Sequence, residues 1–509
     1  MSMMEFIGQG IINVFTIDTI FWILLGTFVG IVFGAVPGLT GTLGILLFLP
    51  LTRNMSIVNA VVYLSAIFCG GEFGGSISAI LIGTPGTNSA VCTMLEGYPL
   101  AKRGQAQRAL TMALLSSTFG GILSALALLF LAPVLAKYTL KFGPPEYFAI
   151  AVFGLSIIAS VSGKSLSKGI FAGCLGVVLS IVGMDSVSGL MRLTFKNINL
   201  YNGIELVAIL TGLFALSSLI EKVEQIFRQR WGRIEKQEEV VLDKSSRLSL
   251  REFFSHWWIL IKSSVIGIII GIIPGIGTGV ASFVSYDTAK KGSKHPEEYG
   301  KGSLEGIAAV EASNNGVTAA SLIPLLTLGL PGSPSAAVLI GAFTMQGLAA
   351  GPMLFREHTV IIYTIMVGIV LANVAMLMEG KILTPLFSKI TKIPNDVMVP
   401  ILRVICAAGA VSCKNSGFDL MIFIAAGITG YVLQTLKVPI VPIVIGFVLG
   451  QTMDSNLRKG LVMTSGDFVA FATRPITFVV LAVTVLVLVM GFVKEARNKT
   501  KKENILDND

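Results

Sequence analysis

The sequence predicts an all-α polytopic membrane protein with about 10–12 transmembrane helices. These are arranged as two homologous halves containing re-entrant or broken Pro-Gly segments. Three observations carry the prediction. First, the 509 residues are 53% hydrophobic and 13% charged, with a mean hydropathy of +0.80, where soluble domains carry about 25% charged residues. Second, the apolar residues come in long runs, which suit helices rather than the short alternating strands of an outer-membrane barrel. Third, a pair of breaks occurs twice. The first copy reads Gly30-x3-Gly34-x2-Pro37-Gly38 and then Gly83-Thr84-Pro85-Gly86. The second reads Gly267-x3-Gly271-x2-Pro274-Gly275 and then Gly329-Leu330-Pro331-Gly332. Offsets of 237 residues (Gly30 to Gly267) and 246 residues (Gly83 to Gly329) relate the copies. Four such fixed positions recur by chance only about 0.02 times in a chain of this Gly and Pro content.

Apolar segments able to span or re-enter a bilayer run over 11–36, 44–70, 75–95, 110–136, 146–163, 168–184 and 202–221. They resume at 258–285, 306–328, 333–350, 359–379, 397–412, 418–435, 438–451 and 470–493. Several fall short of the roughly 20 residues that a full span needs, and those beside the breaks are expected to be half-helices. The halves are then 1–221 and 257–493, joined by a polar linker at 222–256 and followed by a basic tail at 494–509. Lys and Arg concentrate in that linker and tail, which places both on the cytoplasmic side. No Lys or Arg precedes Arg53, which favours the other side for the N-terminus.

The net charge of +9 suggests nucleic-acid binding until its distribution is considered: the cations sit in loops and at the C-terminus, as the positive-inside rule requires. Cys69, Cys92, Cys174, Cys406 and Cys413 lie scattered among apolar and small residues without a C-x-x-C pair, so neither a disulfide framework nor a structural metal is expected. The N-terminus lacks the basic region of a cleaved signal peptide, and its first apolar stretch is expected to stay. Enzyme motifs are missing: there is no H-E-x-x-H, D-D-x-x-D or G-x-S-x-G. The histidines (His256, His295, His358) lie far apart. Gly163-Lys164-Ser165 ends like a phosphate-binding loop, but Ile158 stands where that loop needs its first glycine.

Broken backbone at membrane depth is tolerated only inside protein or facing a water-filled cavity, and paired breaks in duplicated halves point to a transporter's solute site. Packing alone is the bland alternative. In the first break Pro37 blocks helix continuation, while Gly38 and Gly41 permit positive φ. The helix resuming at Thr42 presents free N–H groups and a positive dipole end, with hydroxyls from Thr40 and Thr42, which suits a carboxylate. Thr84, Pro85, Gly86, Thr87 and Asn88 repeat this chemistry, as do Gly332, Ser333 and Ser335 in the other half. The carbonyls freed around Gly275, Gly277, Thr278 and Gly329, with the side chains of Asn314 and Asn315, suit a cation. The two adjacent amides either cap a helix or line the solute or ion site. Glu72, among glycines, and Glu311 are acids near the breaks; either belongs to the site or, for Glu72, reaches water at a re-entrant tip.

These stretches resemble the large membrane subunit of the tripartite tricarboxylate transporter family. The resemblance rests on GIVFGAVPGLTGTLGILLFLPLT at 30–52, GGEFGGSISAILIGTPGTNSA at 70–90, EGYPLAKRGQAQRAL at 96–110 and EASNNGVTAASLIPLLTLGLPGSPSAAVLIGAF at 311–343, and it extends over nearly the whole chain. Glu72 stands where the family pattern has an uncharged residue. The resemblance implies a bacterial inner-membrane importer of organic carboxylates driven by a Na⁺ or H⁺ gradient, without an organic cofactor. It also implies two partners, a periplasmic solute-binding protein and a small membrane subunit of about four helices. A passive channel, or an unrelated permease with the same broken helices, is the alternative.

Overall fold

In the computed structural model, residues 2–36, 39–161, 165–185, 188–221, 224, 248–390 and 417–506 are described. The candidate residues Pro37 and Gly38, residues 222–223 and 225–247 of the 222–256 linker and the apolar 397–412 segment fall outside them. The described chain is helical apart from one two-residue antiparallel ladder, Gly183–Met184 with Met191–Arg192. Among the described residues, six helices are long and apolar enough to cross a bilayer, and five shorter apolar helices accompany them. The fold is thus all-α and polytopic.

Before the linker run α1 (Met3–Val14), α2 (Ile17–Ala35), α3 (Gly41–Phe48), α4 (Ile57–Ile82), α5 (Ala90–Leu100), α6 (Ala106–Thr139), α7 (Pro144–Val161), α8 (Leu166–Ser180) and α9 (Leu206–Leu210), the last continuing as a wide turn at Thr211–Leu216. The short α10 (Leu250–Ser255) lies in the linker's last residues, and after the linker come α11 (Trp257–Ile272), α12 (Gly277–Gly292), α13 (Leu304–Ala320), α14 (Leu322–Leu328), α15 (Pro334–Met345), α16 (Met353–Glu357) and α17 (Thr359–Ile390). The last helices are α18 (Gly417–Thr435), α19 (Val441–Met463), α20 (Phe468–Ala472) and α21 (Pro475–Leu506).

Two boundaries differ from the sequence reading. The apolar stretch 11–36 is two helices, because Thr16 caps a new one by accepting from the Thr19 amide. The glycine run 70–75, read as a gap between segments, lies inside the continuous α4. Its glycines are there for packing rather than breaking. A Cβ on Gly70 would come 2.5 Å from the Thr27 carbonyl, and one on Gly74 would come 2.5 Å from that of Ile31. Small residues let α2 and α4 meet backbone to backbone.

The chain divides into two compact units, each taking one piece from either side of the linker. The first comprises 1–136 and 218–413, the second 137–217 and 414–509. In the first unit α2 lies along α4 and α11 along α13, over a core that includes Phe73, Ile77, Met112, Ile307 and Met376. In the second, α19 crosses α8 closely: a Cβ on Gly176 would come 2.0 Å from the Ile443 carbonyl. Its polar end is tied by arginines, with Arg192 bonded to Asp185 and Asp454 and Arg458 bonded to the same two carboxylates.

Candidate solute and ion site

All four breaks fall in the first unit, and the two copies are built alike. In the first copy α4 ends at Gly83, in the left-handed region at φ 63°. The chain then folds back so that the Gly86 amide donates to the Gly75 carbonyl at 3.2 Å. In the second copy α14 ends at Gly329, φ 73°, and the Gly332 amide donates to the Ser321 carbonyl, also at 3.2 Å. A Cβ on Gly86 would come 2.0 Å from the Gly34 carbonyl, and one on Gly332 would come 2.6 Å from that of Gly271. Each pair of equivalent positions keeps the 237- or 246-residue offset seen in the sequence. The glycines of the breaks are therefore fixed by close approach to the partner helix of their own half as well as by turn geometry.

The ends created by the breaks meet across the halves. Thr42, in the first turn of α3, shares a 2.7 Å hydrogen bond with Ser335, in the first turn of α15. Gly279, in the first turn of α12, lies against Asn88: a Cβ there would be 3.6 Å from the Asn88 Cβ. Within the second half its two breaks also meet: the Gly275 amide donates to the Gly332 carbonyl at 3.2 Å. A Cβ on Gly277 would meet the Pro334 ring at 3.8 Å.

Three helix starts thus gather here, and they differ in capping. Thr40 caps α3 by accepting from the Leu43 amide at 3.1 Å. Ser333 caps α15 by accepting from the Ala336 amide at 3.1 Å. The sixteen-residue α12 has no side-chain cap, so its leading N–H groups are left for an anion; α5, which resumes after the Gly83–Gly86 break, has no side-chain cap either. Asn88 beside it is exposed, as is Thr40, while Gly41, Gly86, Ser333 and Ser335 are buried. Thr87 is tied to Ser89 at 2.9 Å, and the Thr84 amide reaches the Ser78 carbonyl. The sequence placed donors on all the resumed helices; the structure leaves α12 as the one among these three that no side chain closes.

The acids and amides are placed differently from the sequence reading. Asn314 and Asn315 do not cap a helix or stand at its mouth: both lie inside α13, wholly buried. Their amide nitrogens donate to the carbonyls of Glu72 and Cys69, each at 3.4 Å. Their carbonyl oxygens have no partner, nor does that of Asn373 on α17, whose amide shares the Cys69 neighbourhood. Glu72 is not at a re-entrant tip. It sits in mid-α4, 8% exposed, accepting from Ser89 at 2.9 Å and bonded by Thr278 as well. It thereby joins the second break of one half to the first break of the other. Gly329 acts as a helix cap, and its Cβ position faces the Ala350 carbonyl.

Glu311 is the deepest acid, fully buried on α13. It accepts from Ser76 on α4 at 2.5 Å, Thr93 on α5 at 2.5 Å and Ser117 on α6 at 2.6 Å. Sequence reasoning did not single out Thr93, Ser117 or Asn373. Each is a small polar residue in a mainly apolar helix, Ser117 between Ser116 and Thr118, and only the packing of separate helices makes a cluster of them. An unpaired polar group in hydrocarbon costs several kcal/mol, so hydroxyls and amides within apolar runs were the available signal.

A helical membrane protein whose duplicated broken helices converge on an open helix start and a buried polar core has the build of a solute carrier. Comparison with known proteins gives the family: the model described as Tripartite tricarboxylate transporter TctA family matches residues 20–445. The chain belongs to that family, a membrane component of a transport system with further subunits and not a family of enzymes. It is 35% identical over 502 residues, 99% of both chains, to an Agrobacterium vitis protein described as "Uncharacterized 52.8 kDa protein in TAR-I ttuC' 3'region". It is 33% identical over 220 residues to a second, "Uncharacterized protein in TAR-II ttuC' 3'region", covering 43% of this chain and 91% of that one. No solved structure matches.

Proposed function

We propose that this chain is the translocating subunit of an importer of organic carboxylates, a tricarboxylate or a similar acid, across the bacterial inner membrane. A Na⁺ or H⁺ gradient drives it. A periplasmic solute-binding protein delivers the solute, and a small membrane subunit of about four helices accompanies it. The observation that carries this reading is the meeting of broken segments from both halves around the uncapped start of α12, with Asn88, Thr42 and Ser335 beside it. Backbone N–H groups and a helix dipole bind a carboxylate without a buried cation.

The ion side of the reading rests on the unpartnered carbonyl oxygens of Asn314 and Asn315. Neutral oxygens of this kind suit Na⁺, a hard cation bound by oxygen ligands. Uptake of radiolabelled citrate tests the reading in cells expressing the chain with its partner subunits. Accumulation above the equilibrium level, abolished by collapsing the ion gradients, supports it. Equilibration that survives their collapse would make the protein a channel instead.

A further inference from the structure

We propose that Glu311 is a proton-carrying carboxyl of the transport cycle, taking up and releasing one proton inside the first unit. The inference deepens the carboxylate-importer reading, on which it rests, by making the coupling ion a proton. Glu311 is fully buried, and its three recorded donors are all hydroxyls, from Ser76, Thr93 and Ser117 on three different helices. A guanidinium or ammonium partner holds a carboxylate ionised; a hydroxyl does not. Each hydroxyl both donates and accepts, and rotates to suit its neighbour. With three donors turned inward, the site satisfies the anion. With one hydroxyl turned to accept, it satisfies the neutral acid, whose own O–H then donates. On uptake the carboxylate gains one proton and loses its charge; on release the O–H bond breaks and the anion returns. The cage fits both states without moving a helix.

No cation among the described residues balances Glu311. The ionisable groups facing it are Glu72 on α4 and Cys92 on α5; Cys69, further along α4, is turned to Thr318. Glu96 on α5 is held by Tyr286 of α12 and by the amides of Gly300, Gly302 and Ser303. Lys291 of α12 is bonded to Asp287, and Arg108 of α6 to Glu252. The remaining basic residues of these helices are Lys262 in α11, Lys290 near the end of α12 and Lys137 in the last turn of α6, while α14 carries no ionisable side chain. Glu72 adds a route: it lies one helical turn from Ser76 and is bonded to Ser89 at the second break of its half.

Two measurements decide the matter. Infrared difference spectra of the purified full chain between acid and alkaline pH need no solute. A protonated-carboxyl band present in the wild type and absent from Glu311→Gln is the expected result; identical spectra overturn the proposal. Should Glu311→Gln fail to fold, Ser117→Ala keeps the carboxyl but removes a donor. Its band should then titrate at a displaced pH, and coincidence with the wild type is again contrary. Citrate uptake in cells with the partner subunits separates this inference from the transport reading. Glu311→Gln should lose proton-driven accumulation but keep citrate exchange across the membrane. Wild-type-like accumulation by that variant sinks the proton role alone. If the wild type takes up no citrate while its carboxyl band still titrates, the citrate-import reading fails and the proton site stands.

Discussion

Two buried acids of the first unit, Glu72 and Glu311, and two of the second, Asp185 and Glu146, are held in opposite ways. In the second, Asp185 and Asp454 face Arg192 and Arg458, and Glu146 faces Arg474 at 2.7 Å. In the first, the recorded side-chain donors to Glu72 and Glu311 are hydroxyls, and Glu96 is held by one hydroxyl and three backbone amides. The helices differ too. In the first unit 89% of the most apolar window of α4 is buried by protein, against 11% for α21 in the second. An arginine fixes its partner's charge, and fixed charge pairs at helix ends hold a scaffold together. Neutral donors in a close-packed, broken-helix core leave charge free to change, which a transport cycle requires.

The strongest test of this contrast lies in the polar core of the first unit. Replacing both Asn314 and Asn315 by Ala should lower citrate uptake by at least about tenfold, a change of roughly 1.4 kcal/mol or more in the limiting step. Membrane insertion and yield should stay near wild type, because the amides make only long hydrogen bonds to α4. Unchanged uptake would remove them from the mechanism and leave them as packing residues.

The next effect is on folding. Gly86→Ala places a methyl 2.0 Å from the Gly34 carbonyl, backbone that has little room to yield. We expect a cost of about 3 kcal/mol or more, read as loss of monodisperse protein after detergent extraction. Gly332→Ala, 2.6 Å from the Gly271 carbonyl, should be nearly as severe. Gly8→Ala, with nothing near its Cβ position, is the control. Mild behaviour at Gly86 would mean that the Gly83–Gly86 break is looser than its counterpart at Gly329–Gly332.

The breaks were legible in the sequence because they are local. Pro and Gly act on their own backbone, and their recurrence at fixed offsets needs no knowledge of the fold. The all-helical membrane class followed from composition for the same reason. Three things were not legible. The glycines at 70–75 look like punctuation, but their purpose depends on a helix some forty residues away. Asn314 and Asn315 look like a helix boundary because amides disfavour helix interiors, and burial against α4 overrides that preference. The hydroxyl cage of Glu311 joins residues 76, 93, 117 and 311, a juxtaposition that no periodicity encodes. Nor does composition mark the division into units, since one of its boundaries falls within α6, between Ala136 and Lys137.

In the second unit the expected effects are smaller and confined to stability. Arg474→Met removes the partner of Glu146, which remains bonded to the Thr477 hydroxyl and the Gly143 amide. Because Arg474 is partly exposed, the loss should be only about 1–2 kcal/mol, seen as a lower melting temperature. Uptake per folded molecule should not change. A large loss of transport without a loss of stability would show that the arginine pairs take part in the cycle, and would erase the contrast between the units.

The smallest effect is a pH dependence at the arginine-tied end of α19. Asp454 lies beyond the apolar stretch that the sequence ends at 451. Its hydrogen bond from Arg192, and the charges of Arg192 and Arg458 beside it, hold its carboxyl below the ordinary value. A carboxylate depressed in the folded state stabilises the fold fully above its unfolded pKa, about 3.9 for Asp. That contribution fades as the pH falls through the lower folded value. The pair is partly exposed, so the contribution should be under about 1 kcal/mol. Acidification below about pH 4 should therefore lower the melting temperature of the wild type slightly more than that of Asp454→Asn. Because the arginine keeps Asp454 ionised across the working range, uptake between pH 5 and 8 should be the same in both proteins. A variant that instead altered the uptake profile there would place a titrating group beside Arg192 and Arg458 in the second unit, where these arginines hold Asp454.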